Sequence, residues 1–202
     1  MGLGAPRLSS LRYLRALIAV LVSLCSERVV IALDPNYLLT QYRQSTWNRL
    51  NGMPQGSALT LTQSADGYIW IGTQRGLVRF DGSKFAVAAQ DNLDLSEQPV
   101  NALKASRAGV LWAATAKGIY QIRGLNDVKL VPPAKQELRC GRGVSEFSED
   151  ENGGILAGSL NGRVCRWASG TWVEVGPKEN RDAVKALLRA RDGALWIGTV
   201  MY

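Results

Sequence analysis

Residues Asp66 to Phe85 read DGYIWIGTQRGLVRFDGSKF, and their pattern decides the fold. Asp66-Gly67 suits a tight I′ hairpin turn in which both residues take positive φ. Tyr68 to Thr73 follows as a short strand, with Tyr68 and Trp70 on one face and Ile69 and Ile71 on the other. A strand apolar on both faces belongs between two other layers. Gly76 then breaks the chain, Leu77 to Phe80 forms a second strand, and Asp81-Gly82 turns again before Phe85.

The rest of the chain repeats this unit. Gly67 recurs as Gly109, Gly153 and Gly193, at spacings of 42, 44 and 40 residues. Trp70 recurs as Trp112, Leu156 and Trp196, Thr73 as Thr115, Ser159 and Thr199, and Gly76 as Gly118 and Gly162. Nine residues before each marker glycine stands Ala58, Val100, Val144 or Val184; six before it stands Leu61, Leu103, Phe147 or Leu187. A period near 40 residues with four short strands per unit specifies an all-β fold of β-propeller blades. The repeats run 58–98, 99–142 and 143–182, and 183–202 holds two strands of a fourth. The expected strands are 58–63, 68–73, 76–80 and 84–88; 99–105, 109–114, 118–122 and 127–131; 143–148, 154–159, 163–167 and 171–175; and 183–189 and 194–199.

About three and a half blades make an incomplete ring, since propellers close with roughly four to eight. An open arc leaves the apolar faces of its first and last sheets wet. The chain therefore reads as the amino-terminal fragment of a longer protein or as a truncated frame. In the leading segment 33–57, Tyr42 and Trp47 resemble the outer strand of a blade. Such a strand would complete the last blade of a closed ring.

Residues 1–32 read as a signal peptide or amino-terminal anchor. Arg7, Arg12 and Arg15 precede an apolar run, Ala16 to Leu24, that is too short to span a bilayer. They carry +3 of the formal +7, and the remainder is scattered without a basic stripe, so nucleic-acid binding has no support. Cys25 lies in the leader. Cys140 and Cys165 are open to two readings, a disulfide in an exported protein or two thiols packed as small hydrophobes. Their spacing is not that of a zinc site.

The chain has no histidine, which removes the commonest general base and metal ligand. Asp66, Asp150 and Asp192 sit at hairpin turns, where Asp is favoured for backbone reasons. No cofactor or metal is expected. Gly72, Gly158 and Gly198 are expected to admit a neighbouring blade's aromatic ring, and Trp70, Trp112 and Trp196 to be buried between blades. Arg75, Lys117 and Asn161 fall at equivalent places in the turns between second and third strands. They read either as one ligand-binding channel mouth, suited to an acidic small molecule or saccharide, or as polar turn residues in solvent.

The stretch DGYIWIGTQRGLVRFDG closely resembles the two-component regulator propeller repeat, and QYRQSTWNRLNGMPQGS resembles the run that introduces its first copy. The resemblance covers about 34–202 and is weakest in the third unit, at Leu156, Ala157 and Cys165. It implies a periplasmic, membrane-tethered sensor region, with a downstream helix, a kinase or cyclase output and dimerisation belonging to the full receptor. No catalysis is implied for this chain. Two alternatives stand beside it: an exported propeller enzyme acting on saccharides, and a scaffold for protein partners. An Asp box would mark the former, but Ser64 to Trp70 is one residue too short for S-x-D-x-G-x-x-W.

Overall fold

The computed structural model describes residues 44–50, 52–54, 57–88, 95, 97–132, 143–177 and 182–200. The leader, Tyr42, Cys25, Cys140 and most of the two long connections after 88 and 132 lie outside the described residues. The described fold belongs to the unit Thr46–Tyr202.

Each repeat is one antiparallel meander. The first sheet is β1 (Ala58–Gln63), β2 (Ile69–Thr73), β3 (Gly76–Phe80) and β4 (Phe85–Val87). The second is β5 (Ala102–Ala105), β6 (Leu111–Ala114), β7 (Ile119–Ile122) and β8 (Val128–Leu130). The third is β9 (Val144–Glu149), β10 (Ile155–Ser159), β11 (Val164–Ala168) and β12 (Thr171–Glu174). A two-stranded sheet, β13 (Ala183–Arg189) with β14 (Leu195–Val200), follows. All four expected units are present with their strands within a few residues of the expected bounds. The first strands β1, β5, β9 and β13 neighbour one another in series and form the inner edge of the arc.

The marker glycines sit in the turns between first and second strands, but not as type I′ turns. The Gly67 N–H donates to Ser64 C=O at 2.9 Å, and the Ser64 N–H to Tyr68 C=O at 3.0 Å. Only the glycine takes positive φ, +89° at Gly67, so Asp66 stays in the ordinary region. This is the three-residue loop, a type I turn closed by a left-handed glycine. It asks a side-chain-bearing residue for no strained backbone, which is why Ala108, Asn152 and Asp192 all fit the place of Asp66. The same bonds recur at 106–110, 150–154 and 190–194.

Blades stack by a fixed rule. The face bearing Trp70 joins Leu103, Leu111 and Ala113 of the next sheet. The face bearing Trp112 joins Phe147, Ile155 and Ala157. The face bearing Leu156 joins Leu187 and Ile197. Trp70 and Trp112 are accordingly 5% and 4% exposed. Trp196, expected to be buried like them, is 66% exposed, because no further sheet covers its face among the described residues.

Gly72 and Gly158 do admit a neighbouring blade, but through a valine and not an aromatic; at Gly72 the Thr60 side chain of its own sheet is closer still, at 2.5 Å. A Cβ on Gly72 would stand 2.8 Å from the carbonyl oxygen of Val100, and one on Gly158 would stand 2.5 Å from Val184 Cγ1. At Gly198 the nearest atom is Ala186 Cβ of its own sheet. Side chains also stitch the inner strands: the Ala105 N–H donates to Thr62 Oγ1 at 3.3 Å and the Arg189 N–H to Ser148 Oγ at 3.4 Å.

The segment from Gln44 to Trp47 forms no strand, contrary to expectation, since it has no ladder partner among the described residues. Trp47 instead meets Phe80 edge-on at 4.9 Å, and Met53 packs on Ile71, Val78 and Phe80. Cys165 is disulfide-bonded, to a partner outside the described residues.

Candidate functional site

Alternating strand direction puts the two turn sets at opposite ends of each blade. Arg75, Lys117 and Asn161 occupy the turns after β2, β6 and β10, and all three are exposed. Their first duty is local. The Thr73 hydroxyl accepts the Arg75 N–H at 3.1 Å and donates to Gly76 C=O at 2.9 Å. Thr115 treats the Lys117 N–H in the same way at 3.1 Å. In the third blade Asn161 Oδ1 accepts the Arg163 N–H at 3.2 Å and the Ser159 hydroxyl. The structure places the three on one face of the arc, at repeat-equivalent positions. Neither cavity described next includes them.

Both cavities lie on the other face, around the turns that follow the inner strands. A small one of 40 Å³ sits between the first two blades, beside Ser64, Trp70 and Ser106. The larger, about 410 Å³, is open to solvent and spans three blades. Lys104 and Arg107 line it from the second, Glu149, Asp150 and Glu151 from the third, and Arg189 and Arg191 from the fourth.

Its charges are ordered by hydrogen bonds that cross the blade seams. Glu149, almost wholly buried, accepts the Arg107 N–H at 3.2 and 3.0 Å and faces Arg107 Nε at 3.5 Å. The Arg107 guanidinium also donates to Asp150 C=O. Asp150 accepts the Gly154 N–H at 2.8 Å, the Asn152 N–H at 2.9 Å and Arg166 Nε. Burial alone would raise the Asp150 pKa, but Arg166 and the two amides outweigh it and hold the carboxyl below its ordinary value. Asp150 in turn raises Arg166. Nearby Glu146 goes the other way: burial raises its pKa, against the pull of the Phe147 N–H and the Lys104 charge. Arg189 faces Glu151 at 3.6 Å, and its buried Nε has no hydrogen-bond acceptor among the described residues.

Every carboxylate of the depression is thus met by a protein cation or N–H, and the cations outnumber the acids. The lining thus carries a small net positive charge, four cations against three carboxylates. Among the described residues no cluster of three His, Cys, Asp or Glu is placed to hold a metal ion, and no helix is long and apolar enough to cross a membrane. Sequence reasoning missed this depression because Lys104, Glu149 and Arg189 are far apart in the chain. The usable signal was their shared place, one or two residues before the turn that carries each marker glycine.

No protein-family model matches the chain, and no curated protein matches it. Solved structures do. One is the extracellular domain of the one-component system BT4673 from B. thetaiotaomicron, 19% identical, covering 80% of this chain and 23% of that one, with a TM-score of 0.61. A streptogramin B lyase is 19% identical over 73% of this chain and 49% of the lyase, with a TM-score of 0.60. Virginiamycin B lyase from Staphylococcus aureus is 19% identical over 69% of this chain and 47% of the lyase, with a TM-score of 0.55. The chain therefore spans from about a quarter to half of the length of these proteins. What is shared at such identity is the fold, an incomplete set of propeller blades. It agrees with the propeller architecture read in the sequence.

Proposed function

We propose that the chain is the ligand-sensing propeller region of an extracytoplasmic signalling receptor and performs no chemistry itself. The observation that carries this reading is the commitment of the acids. Glu149 and Asp150 are both engaged by cross-seam or turn hydrogen bonds, which supports a role in holding the blades together. The repeat resemblance, and a fold shared with an extracellular domain of a one-component system, support the placement outside the cytoplasm.

The ligand class we propose is a small anion, such as an organic acid or a uronate-bearing saccharide. Arg75, Lys117 and Asn161 offer it one face of the arc, and Lys104 and Arg191 the other. Thermal shift against organic acids and acidic saccharides tests the reading, followed by Arg75→Ala/Lys117→Ala and Lys104→Ala/Arg191→Ala double variants. The pair that abolishes the shift locates the ligand. Because two lyases share the fold, turnover must be measured in parallel, and conversion of any ligand by the purified chain would overturn the sensor reading.

A further inference from the structure

Two positions of the repeat meet across each seam between blades. One stands two residues before a marker glycine, in the turn; the other stands four before the next marker glycine, at the last residue of the following inner strand. At the first seam these are Ala65 and Ala105, at the second Arg107 and Glu149, and at the third Glu151 and Arg189. The structure brings each pair together. Arg107 Nε faces Glu149 at 3.5 Å, its N–H donates to the same carboxylate at 3.0 Å, and its guanidinium reaches Asp150 C=O. Arg189 faces Glu151 at 3.6 Å. Ala65 and Ala105 line one cavity of about 40 Å³.

The charge order differs at every seam. A cation of the second blade meets an acid of the third, an acid of the third meets a cation of the fourth, and the first seam is neutral. The apolar faces alone discriminate little, since each seam joins the same repeat positions. Wrong pairings of blades therefore compete with right ones during assembly. Skipping a blade exposes the difference. The second blade seated on the fourth would set Arg107 against Arg189, and the first seated on the third would offer Glu149 an alanine, Ala65, in place of a guanidinium. Such repulsion or loss in the wrong pairing separates it from the right one, even where the right one gains little, as with the largely exposed Glu151 and Arg189.

We propose that these paired positions address each blade to its proper neighbour: the inner strand of one blade recognises, by charge, the turn of the blade before it. The pairs add specificity to seams whose stability comes from their apolar faces. The proposal does not depend on the sensor reading.

Charge exchange at the third seam tests it. Glu151→Arg and Arg189→Glu are each expected to lower the melting midpoint by about 2–4 °C. The double variant, which carries the charge order of the second seam, is expected to recover most of that loss. Losses that add would overturn the proposal. The two single variants break the same pair, but only Arg189→Glu gives Arg107 of the second blade an acid to meet on the fourth. Refolding from urea at high dilution, followed by the native tryptophan fluorescence recovered, should therefore give a lower yield for Arg189→Glu than for Glu151→Arg. Equal or reversed yields would overturn the address and leave two ordinary ion pairs. Where the third seam does not tolerate exchange, the first supplies the same comparison. Ala65→Arg/Ala105→Glu is expected to melt above Ala65→Glu/Ala105→Glu, and equal midpoints would likewise sink the proposal.

Discussion

Gly72 lies so close to Val100 of the next blade that a Cβ at this position would stand 2.8 Å from the valine's carbonyl oxygen. A backbone oxygen cannot swing aside as a side chain can. Gly72→Ala is therefore expected to destabilise the fold by about 1–3 kcal/mol, as overpacking usually does. Gly158→Ala meets Val184 Cγ1 at 2.5 Å and its backbone-fixed Cβ at 3.1 Å, and should cost a similar amount. Gly198→Ala, whose Cβ would meet Ala186 Cβ at 3.2 Å, should cost least of the three. Denaturant midpoints of the three variants check the order, and a neutral Gly72→Ala would show that the seam can open without cost.

Trp112 and Trp196 are repeat equivalents with opposite exposure. Trp112 meets Trp167 of the following blade edge-on at 6.2 Å. Trp112→Ala should cost about 3–5 kcal/mol. Trp196→Ala should leave the unfolding midpoint of the monomer within about 0.5 kcal/mol of the parent.

Stability should fall in acid through Asp150. Its folded pKa lies below that of the unfolded chain, so its contribution is full above the ordinary carboxylate range and is lost as pH falls through the folded value. Glu146 has the reverse sign: its folded pKa is raised, so it costs stability once pH rises through that value. Melting temperatures from pH 3 to 7 should show a shallower acid limb for Asp150→Asn. Glu146→Gln should gain relative to the parent at neutral pH.

Cys165 is disulfide-bonded in β11, and we expect Cys140 to be its partner. Non-reducing peptide mapping should recover the two cysteines in one cross-linked peptide. Recovery of Cys165 joined to Cys25, or alkylated as a free thiol in protein from an oxidising compartment, would contradict this.

Most of the fold was legible because each blade announces itself locally. The left-handed glycine of each inner turn and the Thr or Ser that closes the next turn are single residues with a backbone reason to be there. The turn type at Asp66-Gly67 was not legible, because Asp-Gly serves both a type I′ turn and a type I turn closed by glycine. Burial was legible only for seams that have both halves: Trp70 and Trp196 carry the same pattern, and only the neighbouring sheet tells them apart. The depression near Glu149 was illegible for a third reason. It is assembled from three blades, and nothing local to Lys104, Glu149 or Arg189 records that they meet.

The bonds that stitch one blade to the next join residues separated by 39 to 43 positions. This sets a rhythm for folding during synthesis. A finished blade keeps one apolar face wet until the next repeat length emerges, about 2–8 s at usual rates of chain elongation. The order of maturation is thus fixed from the amino end. The moment of greatest exposure to aggregation recurs once per blade, just before each new inner strand arrives.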